Sequence, residues 1–212
     1  LELTIFVKVA PFKQIYNHGE FATFTSNQQN AVRSALFEFE KVANIKFVEV
    51  QESGNQVGTV RFGISTLDFI ASASRPGGYW ADNGDIWISQ EYINEHGTVQ
   101  GESRVFSSFL HEIGHALGLS HPQDNILLEN DIDSRHYTQM SYEHPSWAYY
   151  GNGADAIYTI SNTLMVYDIQ ALQYLYGSNS SYNSDDTKYE FSPENLTVMA
   201  IWDTGGEDLI DL

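Results

Sequence analysis

The stretch His111-Glu112-Ile113-Gly114-His115-Ala116-Leu117-Gly118-Leu119-Ser120-His121 decides how this 212-residue chain is read. Val105, Phe106, Phe109, Leu110, Ile113 and Leu117 recur at helical spacing, which predicts a helix from about Glu102 to Leu117. Histidines four residues apart on a helix project from one face, with Cβ atoms about 5–6 Å apart. Their nitrogens can take adjacent corners of a zinc tetrahedron. Gly118 tolerates positive φ, so it can stop the helix and turn the chain sharply. That turn can carry His121 back to the same ion as a third ligand. Three neutral imidazoles leave one coordination position open, which marks a catalytic rather than a closed structural site. The open position suits a water whose pKa zinc lowers toward ~7, and Glu112 is placed to accept its proton. With residue usages of a few per cent, the full pattern arises by chance in on the order of 10⁻⁵ of chains this long.

Working toward the N-terminus, Ala31, Val32, Ala35, Leu36, Phe39, Val42 and Ala43 share a helical face, which predicts a helix over Ser26 to Asn44. Ser26 with Gln29 resembles a capping box. The opening Leu1 to Val7, then Ile45 to Val50 and Thr59 to Ile64, read as strands. Asp85 to Ser89 reads as a further short strand at a sheet edge. Arg75-Pro76-Gly77-Gly78 marks a loop. Toward the C-terminus, Ser120 to Gly153 lack any period and read as loop built around a site. A third helix is expected from about Leu164 to Tyr176, ended by Gly177, and a last strand over Leu196 to Trp202. A strand, a helix and two more strands indicate a sheet covered by a long helix, and the chain is read as an α+β domain.

Composition narrows the function classes. Twenty-eight acidic residues against 10 basic ones give a formal charge of −18, which argues against nucleic acid and anionic membrane surfaces as partners. No apolar run approaches the eighteen or so residues that a spanning helix needs. The N-terminus carries no basic segment or cleavage site of a secretory signal, so any targeting information is expected outside these residues. The chain has no cysteine, so a metal site must use His, Asp, Glu, Tyr and backbone oxygens. Four further histidines, His18, His96, His136 and His144, are expected in loops or beside the site rather than as ligands.

Met140 follows His121 by nineteen residues, within Gln139-Met140-Ser141-Tyr142. A soft, unbranched methionine can fill the floor beneath the imidazoles. The long histidine pattern together with this methionine resembles the metzincins. Residues His111 to Pro122, Met140-Ser141-Tyr142, Asp168 to Gly177 and Ile201 to Gly206 resemble successive blocks of the serralysins, and the likeness covers most of the chain. Astacins share the tyrosine but depend on disulfides, and matrixins place a proline at the position of Tyr142.

The resemblance implies an extracellular bacterial zinc endopeptidase of broad specificity, monomeric, acting on proteins or peptides. It implies a metzincin catalytic domain: a twisted mixed sheet with two helices above and one below a zinc-containing cleft. Zinc would be held by His111, His115 and His121. Tyr142 would join them in the resting enzyme and swing away to support the transition state. In that family the catalytic domain is followed by calcium-binding glycine-rich repeats forming a β-roll. Residues 1–180 are accordingly expected as catalytic domain and 181–212 as the start of such a roll. Asp203, Gly205, Asp208 and Thr187 match its calcium positions. Asn183 and Asp185 stand where the family has Arg and Gly, as backbone-carbonyl ligands. A binding module that kept zinc only for structure would require neither Glu112 nor an open coordination position.

Overall fold

The computed structural model describes residues 2–6, 21–51, 58–66, 70–77, 83–96, 104–124, 128–129, 132–145, 149–150, 157–158, 161–191 and 198–212. His18 lies outside them. Strands β1 (Glu2–Phe6), β2 (Phe21–Ala22), β3 (Lys46–Glu49), β4 (Val60–Ser65), β5 (Ala71–Ala73) and β6 (Asp85–Ser89) form one mixed sheet. Its order is β3-β1-β4-β6-β5, with β1, β3, β4 and β6 mutually parallel. β5 runs antiparallel to β6, and β2 runs antiparallel to the end of β4.

Helix α1 (Ser26–Val42) buries Ala31, Val32, Ala35, Leu36, Phe39 and Val42, the face that the periodicity predicts. Its cap is one residue earlier than expected. Thr25 Oγ1 accepts from Gln28 N at 3.4 Å, and Gln28 Oε1 accepts from Thr25 N at 2.6 Å. Ser26 is therefore the first helical residue and the reciprocal pair is Thr25 with Gln28, because Thr25 holds the extended backbone a cap requires. Helix α3 (Arg104–Ala116) packs on α1 and against β5 and β6, and α4 (Val166–Tyr176) packs on α1. Burying Phe39, Phe62, Phe109, Ile113 and Leu172 in one cluster supplies the main driving force, at roughly 1.5–3 kcal/mol per large side chain. Among the described residues no helix is long and apolar enough to cross a membrane.

Three expectations change. Asp85–Ser89 is not an edge, because β6 pairs with β4 on one side and β5 on the other, and Ile86, Trp87 and Ile88 are buried. The edge is β5, whose Ala-Ser-Ala sequence carries little strand propensity. A seven-residue helix, α2 (Gln90–His96), follows β6 directly, so His96 is helical and packs its ring on Tyr92. The strand expected over Leu196–Trp202 reduces, in its described part, to a single bridge of Val198 with Ser161. Its backbone finds side-chain partners instead: Ala200 N–H donates to Thr163 Oγ1 at 3.1 Å.

The loop after Ser120 contains a 3-10 turn, Pro122–Asp124, and a small antiparallel pair of β7 (Tyr149–Tyr150) and β8 (Ile157–Tyr158). Beyond α4, β9 (Lys188–Glu190) and β10 (Leu209–Asp211) pair in parallel, an arrangement the sequence reading missed.

Candidate metal centre

The end of α3 shows why the histidine segment folds back on itself. Leu119 N–H donates to Gly114 O and Gly118 N–H to His115 O, both at 2.9 Å, while Gly118 takes φ +100°. These two bonds are a Schellman closure, which needs a left-handed residue at its turn. The chain therefore reverses at Gly118, three residues past His115, and returns His121 to the helix face. Gly114 matters for a different reason: a Cβ there would lie 2.7 Å from Met140 Sδ. Met140 is buried directly under the histidine-bearing turn.

His111 donates Nδ1–H to Gln139 O at 2.8 Å, and His115 donates Nδ1–H to Leu119 O at 2.9 Å. Both bonds fix the tautomer, leaving each Nε2 as a lone-pair donor to a metal. His121 Nε2 lies 3.1 Å from His111 Nε2 and 2.8 Å from His115 Nε2, and Tyr142 Oη lies 2.8 Å from His121 Nε2. Lone pairs repel when brought this close, and a cation at their centre relieves it. The donor set therefore fits a metal, and its all-imidazole chemistry suits zinc. Among the described residues these three histidines are the sole cluster of three or more His, Cys, Asp or Glu side chains with that geometry.

Electrostatics agree with the geometry. Burial drives the His111 imidazole down to about 3 and the His115 imidazole to about 4, so both stay neutral, the form that binds metal. Glu112 is buried beside His111, and desolvation pushes its carboxyl up to about 8. A divalent cation in the site would draw it back toward the ionised form. The Tyr142 hydroxyl is held above its ordinary value, first by burial and then by Glu112.

Several supporting residues went unread in the sequence. Gln139 is buried with its side chain fully used: Nε2 donates to Ser161 O at 3.0 Å and Thr163 O at 2.6 Å, and Oε1 accepts from Ser107 Oγ at 3.1 Å. Its backbone carbonyl holds His111. Asp168, on α4, accepts from Thr138 Oγ1 at 2.6 Å, Gln139 N at 2.8 Å and Met165 N at 2.9 Å. It thereby anchors the turn that carries Met140. Thr138 and Gln139 lie about thirty residues from Asp168 in sequence, so no local spacing signals that anchor.

The acidic tail gathers as well. Thr187 N–H donates to Asp208 Oδ1 at 3.0 Å, Gly205 N–H to Asp203 Oδ1 at 3.0 Å, and Thr204 N–H to Asn183 O at 3.4 Å. Asp203 Oδ2 also accepts from Tyr189 Oη, and Asp185 O accepts from Thr187 Oγ1 at 2.9 Å. Residues 183–187 and 203–208 thus form one oxygen-rich loop pair. His136 and His144 lie near the Met140 turn and outside the three-histidine cluster.

The chain matches the family described as Matrixin over residues 14–140, and the family described as Peptidase M66 over residues 92–195. It is 30% identical to a serralysin of Proteus mirabilis over 94% of this chain and 47% of that protein. It is 31% identical to a serralysin of Photorhabdus luminescens over 97% of this chain and 46% of that protein. Serralysin B of Dickeya chrysanthemi is 32% identical over 89% of this chain and 44% of its own length. The chain spans about half the length of the curated relatives it matches.

Proposed function

The chain belongs to the Matrixin family as a serralysin-type metzincin, and from that premise we propose that it is the catalytic unit of a secreted bacterial zinc endopeptidase of broad specificity. The observation that carries this reading is the convergence of three imidazole Nε2 atoms, two of them locked by carbonyl bonds, beside a buried glutamate on the same helix. Zinc bound there supplies Lewis acidity and lowers the pKa of a water toward ~7.

The chain's own groups have distinct parts. Glu112 takes the proton from the attacking water and delivers it to the leaving amine. Tyr142, whose hydroxyl reaches the edge of the histidine cluster, donates to the oxyanion as the carbonyl becomes tetrahedral. A peptide pairs its backbone with β5, the half-buried border strand of the sheet that packs on α3. Substrates are proteins and peptides, the enzyme is a monomer, and neither nucleic acid nor membrane is a partner. Residues 1–180 form the catalytic domain, and 181–212 begin a calcium-binding β-roll. Calcium would be taken by Asp203, Asp208 and Thr187 with the backbone oxygens of Asn183, Asp185 and Gly205, hard donors that suit it.

The test is cleavage of casein and of a peptide library by the zinc-loaded chain. Glu112→Ala should bind zinc as the parent does and lose activity by two or more orders of magnitude. Activity within tenfold of the parent would overturn the assignment of the base.

A further inference from the structure

The third imidazole is supported differently from the other two. His111 and His115 each give Nδ1–H to a backbone carbonyl, whereas His121 turns its Nδ1 toward a carboxylate, with Asp124 Oδ2 at 3.4 Å. That same oxygen accepts from Arg75 NH2 at 2.7 Å. Asp124 closes the 3-10 turn that begins immediately after His121, and Arg75 comes from the loop leaving the β5 edge strand, 49 residues upstream.

We propose that Asp124 is the positioning residue of His121, and that the Arg75–Asp124 pair ties the β5 loop to the third metal ligand, so that zinc affinity depends on both. The inference rests on the reading of His111, His115 and His121 as the zinc ligands. A carboxylate facing Nδ1 holds the proton on that nitrogen, leaves Nε2 as the lone-pair donor, and makes the ring a stronger ligand. The role falls to Asp124 because its carboxylate meets His121 Nδ1 where backbone carbonyls meet the Nδ1 atoms of His111 and His115. Arg75 keeps the carboxylate aimed. Left alone, Asp124 could rotate its second oxygen toward water, since its side chain is 35% exposed.

The same exposure separates this role from a structural one. An ion pair with side chains 48% and 35% exposed contributes little to folding. Losing it should therefore register in metal binding and hardly at all in the melting of the metal-free protein.

The experiment measures the zinc dissociation constant by chelator competition for the parent, Asp124→Asn, Asp124→Ala, Asp124→Glu and Arg75→Gln, with thermal melting of each metal-free protein beside it. Both Asp124 variants should bind zinc about 10–100-fold more weakly, as loss of an outer carboxylate does elsewhere. Arg75→Gln should show a several-fold loss, and Asp124→Glu should recover part of the affinity. Metal-free melting temperatures should stay together. Zinc bound by Asp124→Asn and Asp124→Ala within twofold of the parent overturns the proposal. So does a drop in metal-free melting large enough to account for the weaker binding. A parent chain that binds no zinc instead overturns the underlying site.

Discussion

Tyr142 reaches the histidine cluster with its hydroxyl 2.8 Å from His121 Nε2 and its ring beside those of His111 and His121, while about half of the residue stays in solvent. A tyrosine in that position is free to rotate, since it is not locked in the core. If its donation counts only when charge develops on the substrate oxygen, its removal should appear in kcat rather than in binding. Tyr142→Phe is expected to lower kcat by about 10²–10³-fold, the cost of one oxyanion donor, with KM little changed. Steady-state kinetics on one peptide substrate decides it, and a loss carried wholly by KM would defeat the role. Gly118 is the other decisive residue. At φ +100° an alanine is strained, so Gly118→Ala should destabilise the chain by about 1 kcal/mol or more and weaken zinc binding together with it, read by melting and chelator competition.

At the scale of elements, the site is an agreement between α3, the Met140 turn and α4, with Asp168 as the joint. Its carboxyl is buried, and desolvation raises it to about 6 against three hydrogen bonds that oppose the shift. A raised carboxyl is favoured in its protonated form by the fold. Its stabilising contribution is complete below the usual carboxylate range and is lost as pH rises through about 6. Asp168→Asn cannot titrate and also sets an amide against groups that donate, so it should be less stable throughout. The stability gap between parent and variant should narrow by about 1 kcal/mol from pH 5 to pH 7, measured by denaturant melts at saturating zinc. A gap that stays flat or widens over that interval would show that Asp168 is ionised in the fold at both values.

At the scale of the whole molecule, the acidic tail is part of the packed structure. Asn179 Nδ2 donates to Glu40 O at 2.7 Å on α1, Trp202 Nε1 donates to Asn179 O at 3.0 Å, and Tyr182 packs edge-on against Phe37. Stabilising the loop pair at 183–187 and 203–208 should therefore stabilise the protein. A ligand that binds only the folded state contributes ~2.7 kcal/mol at a hundredfold excess over Kd. For a chain of this size that corresponds to about 5–10 °C in melting temperature. Millimolar calcium is expected to raise the melting curve by this amount, and Asp208→Ala to remove most of the increment. An unmoved curve would mean that these residues do not hold calcium in this chain.

The convergence of His111, His115 and His121, the helix bearing two of them and the turn delivering the third were legible in the sequence, because imidazole spacing and a glycine stop act within a dozen residues. The apolar face of α1 was legible for the same reason, apart from a cap one position away, where Thr25 and Ser26 are chemically equivalent candidates. Tertiary structure alone decided that β6 lies inside the sheet, since β5 is an alanine-serine strand formed only by pairing. It alone brought Asp168 under Gln139 and Met140, Arg75 to Asp124, and β9 beside β10. Each of those contacts joins residues about twenty or more positions apart. Local propensity is silent at that distance, and only the packing of the whole chain determines which partners meet.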